Sequence, residues 1–171
     1  MVSTALHPAA VTAEQLARDC RLRRCRRTGP GGQHRNKVET AVVLTHVPSG
    51  IRGEASERRS PEENRVRAMF RLRINLALEL RCPHAPADGP SALWQARVRS
   101  GRISISPAHE DFPALLAEAL DVLHACGMDA KTAAERLTVT PSQLVRLLQL
   151  EPRALHQVNA RRTALGRKPL R

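Results

Sequence analysis

The fold of this chain is constrained most by a predicted β-hairpin. It consists of a run of β-branched residues, a tight turn and a second short strand. Lys37–Thr45 reads KVETAVVLT, which predicts a strand. Val47–Gly50 predicts a turn, because Pro48 and Gly50 interrupt any regular element there. The IRGEAS segment, residues 51–56, should then return as a hairpin-paired strand. A helix signal follows at once, so we expect an α+β fold.

The helix after this hairpin has a clear start in the sequence. Ser60 is a good N-cap, Pro61 takes the first helical position and Glu63 falls at the third. We expect the helix to end near Arg81. Apolar residues spaced by four predict a stripe that faces the core. The stripe comprises Val66, Phe70, Ile74 and Leu78.

The rest of the chain divides into a short N-terminal part and a mostly helical C-terminal part. A capping box at Thr12–Gln15 predicts a short helix, and RLRRCRR at 21–27 predicts a strand. The Pro- and Gly-rich segment CPHAPADGPS indicates a linker. Beyond it we expect helices over 93–100, 112–125 and 153–165, a short RISIS strand at 102–106, and a helix-turn-helix pattern within 129–150.

The charge of the chain is strongly positive and clustered. It has 28 Lys and Arg against 16 Asp and Glu, a formal net charge of +12. Residues 18–37 hold eight basic residues against the acid Asp19, and every charged residue after Glu151 is basic. Two basic segments favour contacts with a large polyanion. With no Tyr, one Trp and two Phe, the chain lacks the aromatic residues that stack single-stranded bases. The chain could still bind nucleic acid through its backbone phosphates or recognise folded RNA by its shape.

Several other classes of protein are disfavoured. No apolar run of about 18 residues is present, and the N-terminus does not resemble a secretory signal, so we expect a cytoplasmic protein without a membrane span. The cysteines fit reduced thiols. A zinc site that uses Cys20, Cys25, Cys82 or His84 fits no common ligand spacing, so we expect no metal and no cofactor.

The segment TGPGGQHRNK, residues 28–37, carries the chemistry. Alone, Gly-Gly-Gln predicts only a flexible turn or a nest of backbone N–H groups. With the strands that follow it, RRS at 58–60 and Asn64, it resembles the catalytic domain of bacterial peptide-chain release factors. It resembles still more their short stand-alone relatives, the Gly-Gly-Gln (GGQ) peptidyl-tRNA hydrolases that rescue stalled ribosomes. The resemblance covers about Cys20 to Leu80.

This resemblance implies a domain organisation. A small GGQ domain, with a few-stranded sheet and a packed helix, would occupy residues 1–82. A linker at 83–91 and a helical region at 92–171 with a helix-turn-helix-like segment and a basic tail would follow it. One departure is Pro61, where many relatives have Gln.

The resemblance also implies a function and a partner. Gly31, Gly32 and Gln33 would enter the peptidyl-transferase centre of the large ribosomal subunit and promote hydrolysis of the ester in P-site peptidyl-tRNA. Gln33 would be a methylation target, and the protein would act as a monomer. The residues expected to contact ribosomal RNA are Arg24, Arg26, Arg27, Arg35, Lys37, Arg58 and Arg59. Because no convincing stop-codon tripeptide is present, we expect action that is independent of the codon.

Two alternatives stay open. The segment Asp129–Leu150 also fits a helix-turn-helix regulator that binds DNA, with Gln143 and Arg146 facing a groove. In that motif a glycine usually occupies the turn, whereas this chain has Thr138. The other alternative is a paralogue that binds ribosomes without hydrolysis.

Overall fold

The computed structural model of this chain describes residues 6–26, 40–82 and 89–171. The α+β expectation is confirmed: small antiparallel sheets accompany helices, and the C-terminal region is helical. Among the described residues, none of the helices combines the length and the apolar character that a membrane crossing requires.

Two compact units make up the chain. The sheet unit is Val11–Leu76, and the helical unit joins Met1–Ala10 to Ala77–Arg171 as far as these are described. The domain boundary predicted at residue 82 and the linker predicted at 83–91 stay predictions.

The sheet unit contains a three-stranded antiparallel sheet in the order β1-β2-β3. The Thr12 hydroxyl accepts from the Gln15 backbone N–H and the Gln15 side chain accepts from the Thr12 N–H, so the predicted capping box is confirmed. The elements are α1 Ala13–Arg18, β1 Cys20–Cys25, β2 Ala41–His46, β3 Arg52–Ala55 and α2 Pro61–Glu79, of which α2 contributes its last residues to the helical unit.

Helix α2 begins as predicted, and its predicted stripe is buried except at its first residue. The Ser60 hydroxyl accepts from the Glu63 N–H at 3.4 Å. Val66, however, is 64% exposed, so the stripe predicted to start there is wrong at that position. Ile74 and Leu78 of the predicted stripe are buried and Phe70 is half-buried, and a further buried row consists of Ala68, Leu72 and Leu76. Residues 66 and 68 point about 200° apart around a helix, so Val66 faces solvent opposite the buried Ala68.

Gly53 allows a close contact between β3 and the part of α2 that contains Ala68 and Leu72. A Cβ added at Gly53 would lie 2.3 Å from the carbonyl oxygen of Ala68 and 2.4 Å from the nitrogen of Leu72. The backbone of α2 therefore lies directly against β3, at a distance that no other residue permits. In the register, Gly53 pairs with Leu44 of β2, which is also buried.

The helical unit consists of five helices and a short hairpin among its described residues. These are α3 Ala92–Arg97, β4 Val98–Arg99, β5 Arg102–Ile103, α4 Phe112–Ala125, α5 Ala130–Arg136, α6 Pro141–Gln149 and α7 Pro152–Ala164. Helix α4 has the predicted ends and is buried along most of its length. Buried Trp94 donates from Nε1 to the Leu137 carbonyl at 2.8 Å, which joins α3 to the end of α5.

The hairpin corrects the helix predicted over 93–100. Helix α3 ends at Arg97, and Val98 pairs with Ile103. Ser100 and Gly101 both have positive φ, 49° and 72°, which matches the two-residue turn that suits a tight hairpin. Gly101, which directly follows the predicted helix, is therefore the second residue of a hairpin turn.

Helices α5 and α6 form the predicted helix-turn-helix pattern. The Thr140 hydroxyl accepts from the Gln143 N–H at 3.3 Å, as expected for its N-cap. Thr138 has φ 54°, so it occupies the left-handed conformation in which a glycine is usual. Arg146 is exposed and Gln143 is half-buried. The buried residues of α6 are Leu144, Val145, Leu147 and Leu148.

We predict that Gly53→Ala lowers the free energy of unfolding by about 3 kcal/mol or more, because the new methyl meets backbone atoms that cannot rotate away. Urea unfolding measures this loss. Gly89→Ala is the matched control, since nothing lies within 4 Å of a Cβ there, and it should change stability by less than about 0.5 kcal/mol. Equal unfolding midpoints for the two variants would contradict the close approach.

Candidate functional site

The two ends of the predicted catalytic loop meet at one end of the three-stranded sheet. Cys25, the last residue of β1, pairs with Ala41, the first residue of β2. A segment that leaves and re-enters at paired residues is anchored at both ends by the same ladder of hydrogen bonds. The segment itself, 27–39, lies outside the described residues. The predicted site residues that fall within it are Arg27, Gly31, Gly32, Gln33, Arg35 and Lys37.

Asn64, in the first turn of α2, fastens the returning end of this loop. Its side chain is fully buried. The Nδ2 group donates to the Thr40 carbonyl at 2.7 Å and to the Arg58 carbonyl at 2.9 Å, and Oδ1 accepts from the Arg58 N–H at 3.0 Å. One amide therefore holds the residue just before β2, the segment between β3 and α2, and the start of the helix in one place.

The segment held by Asn64 carries two of the predicted RNA-binding residues. Arg58 and Arg59 are both exposed, immediately before the helix cap at Ser60. The Arg58 guanidinium lies 3.8 Å from the Glu63 carboxylate, an exposed pair that contributes little to stability. Asn64 thus fixes the backbone beneath these cations while their side chains face solvent.

A polar pocket of about 210 Å³ adjoins the Cys25–Ala41 pair. Arg71 of α2 donates to the Glu54 carbonyl at 2.7 Å and pairs with the Glu57 carboxylate. Partial burial acts to raise the pKa of Glu57, but hydrogen bonds from the backbone N–H groups of Ser56 and Glu57 and from Arg71 outweigh it and lower that pKa to about 2. This network ties the segment after β3 to α2, next to the ends of the loop.

Strand β1 presents arginines on both faces of the sheet edge. Arg24, a predicted RNA contact, shares a face with Leu22, whereas Arg21 and Arg23 point to the opposite face. All three arginines are exposed. In the sequence, Arg21 and Arg23 counted only as members of the basic cluster. The alternation of side chains along a strand is the signal that assigns them to the face opposite Arg24. Arg26, another predicted contact, follows the strand directly.

Within the described parts of the chain, His7, Cys82 and Asp121 of the helical unit form a group that could hold a metal ion, with their ligand atoms within 4.8 Å of one another. Arg81 donates to Asp121 at 3.2 Å, and the Cys82 N–H donates to the same oxygen at 3.2 Å. The guanidinium already supplies the positive charge that a cation would bring, so the three residues fit a buried hydrogen-bond cluster better than a metal centre. Of these, only Cys82 was among the zinc ligands weighed from the sequence.

Comparison with known proteins relates this chain to release factors. The sequence model of a family described as "RF-1 domain" matches residues 11–101, which include the sheet unit and the predicted loop. Peptide chain release factor 1 of Acidiphilium cryptum (strain JF-5) is 39% identical to this chain over 114 residues. That alignment covers 66% of this chain and 32% of the relative, so the chain spans about a third of that protein's length.

We predict that Asn64→Ala lowers the free energy of unfolding by about 3 kcal/mol, because it leaves three part-buried backbone groups of Thr40 and Arg58 without partners. Asn75→Ala on the same helix is the control. Asn75 donates to the Arg52 carbonyl at 2.7 Å at an exposed site, where water replaces the lost bond, so we expect a loss below about 1 kcal/mol. Similar losses in urea unfolding of the two variants would contradict the role given to Asn64.

We predict a loss of stability between pH 7.5 and pH 5 that depends on His7. Burial, and secondarily the nearby Arg81, lower the pKa of His7 from 6.5 to about 4, against the effect of its bond to the Leu80 carbonyl. The unfolded chain therefore binds more protons in this window, and stability falls by about 2 kcal/mol as the pH drops. Urea unfolding at both pH values measures this loss. His7→Gln should remove the dependence and exposed His156→Gln should keep it; the opposite order would contradict this.

Proposed function

The chain belongs to the RF-1 domain family, and from this membership we propose that it releases nascent peptides by ribosome-dependent hydrolysis of the peptidyl-tRNA ester. The observation that carries the proposal is the Gly31-Gly32-Gln33 sequence in a segment whose ends are held by the Cys25–Ala41 pair and by Asn64. The proposed partners are the ribosomal RNA of the large subunit and the P-site peptidyl-tRNA.

The proposed chemistry needs little from the side chains of the protein. Attack of water on the ester builds negative charge on the carbonyl oxygen in a tetrahedral intermediate. A preorganised N–H at Gln33 would stabilise that charge, and one such donor commonly contributes about 3–4 kcal/mol to a barrier. Glycine at 31 and 32 suits this task, because a Cβ would obstruct a close approach of the backbone to RNA. The Gln33 side chain would shape the space of the attacking water, and the active-site RNA and tRNA would supply the remaining groups.

The exposed arginines support the proposed docking on RNA. Arg24 lies at the sheet edge where the loop begins, and Arg58 and Arg59 precede α2 on the segment that Asn64 holds to the other end of the loop. Cations around the base of a loop would balance the phosphates of a narrow RNA site and would make binding dependent on salt. A fixed backbone beneath them lowers the entropic cost of docking.

We predict that Gln33→Pro abolishes peptide release, with a fall of at least about 100-fold, because proline has no N–H to offer the oxyanion. Release of labelled peptide from ribosomes that carry peptidyl-tRNA measures the rate. Gln33→Ala is the matched control at the same position, since it removes the side chain but keeps the N–H, and it should retain part of the activity. Equal rates for wild type and Gln33→Pro would overturn the mechanism.

We also propose that release is independent of the codon and serves stalled ribosomes. The resemblance of the loop to the stand-alone rescue hydrolases supports this setting. The same assay, run with and without a stop codon or downstream mRNA, tests it. Similar rates with and without the stop codon are expected, whereas strict dependence on the stop codon would overturn the rescue role while leaving hydrolysis in place.

A further inference from the structure

The helical unit contains a basic groove formed by residues outside the sequence segment that resembles release factors. One wall is the outward face of α6, with Ser142, Arg146 and Gln149. The other wall is the basic tail, residues 166–171, which follows α7. The groove has a volume of about 760 Å³, within the range of ligand sites. Both walls fall after residue 101, where the family match ends.

The tail has a fixed position in this groove, because side chains of α7 hydrogen-bond to the backbone of the tail. Asn159 donates from Nδ2 to the Leu170 carbonyl at 3.0 Å and accepts from the Leu170 N–H at 2.7 Å. The Arg162 guanidinium donates to the Lys168 carbonyl at 2.8 Å. Arg167 pairs with Asp129 at 2.6 Å. Two side chains of α7 thus occupy the tail's backbone groups, and an ion pair joins the tail to the start of α5.

The groove collects basic side chains. Arg146 stands on the α6 side, and Lys168 and Arg171 stand on the tail side. Among the residues that the structure describes, no Asp or Glu side chain lines the groove or pairs with these three cations, so they outweigh the single α-carboxylate of Arg171. The other tail cation, Arg167, is the one engaged with an acid. A groove of this kind attracts an extended anion.

The folded tail decides which polyanion fits. A major groove of duplex DNA, about 12 Å wide, admits one helix of about 10–12 Å diameter. The tail lies beside the face of α6 that carries Arg146 and Gln149. Helix and tail together are too wide for the major groove, so α6 cannot enter the DNA as a recognition helix. The groove walls have no aromatic side chain on which a base could stack. What remains is the sugar–phosphate backbone of a strand that is not enclosed in a duplex.

We propose that the groove between α6 and the tail binds the phosphodiester backbone of an RNA strand, without regard to its sequence. RNA is the source of phosphate that agrees with the family's place in translation; this choice rests on the proposed function, but the groove and its charge do not. The helical unit would then hold RNA through the tail–helix groove, separately from the loop at the sheet end.

The full-length chain tests this in a binding assay with a labelled single-stranded RNA of about 20 nucleotides, titrated at several salt concentrations. Arg146→Ala/Lys168→Ala should weaken binding about tenfold. It should also flatten the dependence of log affinity on log salt by about 1.4, which is about 0.7 for each lost phosphate contact. Lys131→Ala/Arg161→Ala removes the same charge from exposed positions outside the groove and should leave both quantities unchanged. Equal behaviour of the two double variants would overturn the proposal.

Asn159→Ala and duplex DNA complete the test. Asn159→Ala frees the tail without removing charge, so it should weaken RNA binding several-fold while the helical circular-dichroism signal is kept. Binding as tight as that of the wild type would overturn the tail's part in the groove. Duplex DNA of the same length should bind more weakly than the RNA, and tighter, sequence-dependent DNA binding would overturn the choice of RNA. Peptide release plays no part in these measurements, so a chain that releases no peptide still gives a clear result.

Discussion

The three hydrogen bonds of the buried Asn64 amide are the interaction on which the proposed site depends. They reach the Thr40 carbonyl and both backbone groups of Arg58, two segments that are remote in sequence from each other. An amide can do this because it offers two donors and an acceptor from one side chain. A carboxylate or an apolar residue at this position would leave these part-buried carbonyls without partners, at a cost of about 1–3 kcal/mol for each group.

Around that amide, the sheet unit combines a tightly packed backbone with exposed arginine side chains. Gly53 lets α2 lie directly against β3, and the Glu57–Arg71 pair holds the intervening segment to the helix. The arginines that would meet RNA project from this support into solvent. Preorganised backbone and solvated cations are a consistent combination for a protein that would place a short loop in an active site made of RNA.

The sequence predicted elements well where local signals agree, and poorly where tertiary contacts decide. Helix α4 has both of its predicted ends, because Phe112–Ala125 is apolar along most faces and Gly127 follows it. Helix α2 begins as predicted at its Ser60 cap. Its predicted stripe was confirmed at Ile74 and Leu78 and was wrong at Val66, since the closest packing of this helix depends on the missing side chain at Gly53, in another element.

The candidate site was predictable in its residue types and not in its contacts. The RRS segment and Asn64 were singled out by resemblance, yet no local pattern shows that the amide of Asn64 reaches Thr40. The hairpin at 98–103 was missed because Ser100, which is not a glycine, adopts positive φ. The groove beside α6 was also beyond the sequence, since the tail is held in place by contacts with α7 and Asp129 that no local pattern shows.

A structure of the full chain on a ribosome that carries a non-hydrolysable peptidyl-tRNA would test the central claim most directly. The account predicts that the backbone nitrogen of Gln33 lies within about 3 Å of the carbonyl oxygen of the linkage between peptide and tRNA. It also predicts that Asn64 still bonds to Thr40 at the base of the loop. A bound chain whose Gly31-Gly32-Gln33 segment lies far from the linkage would contradict the account.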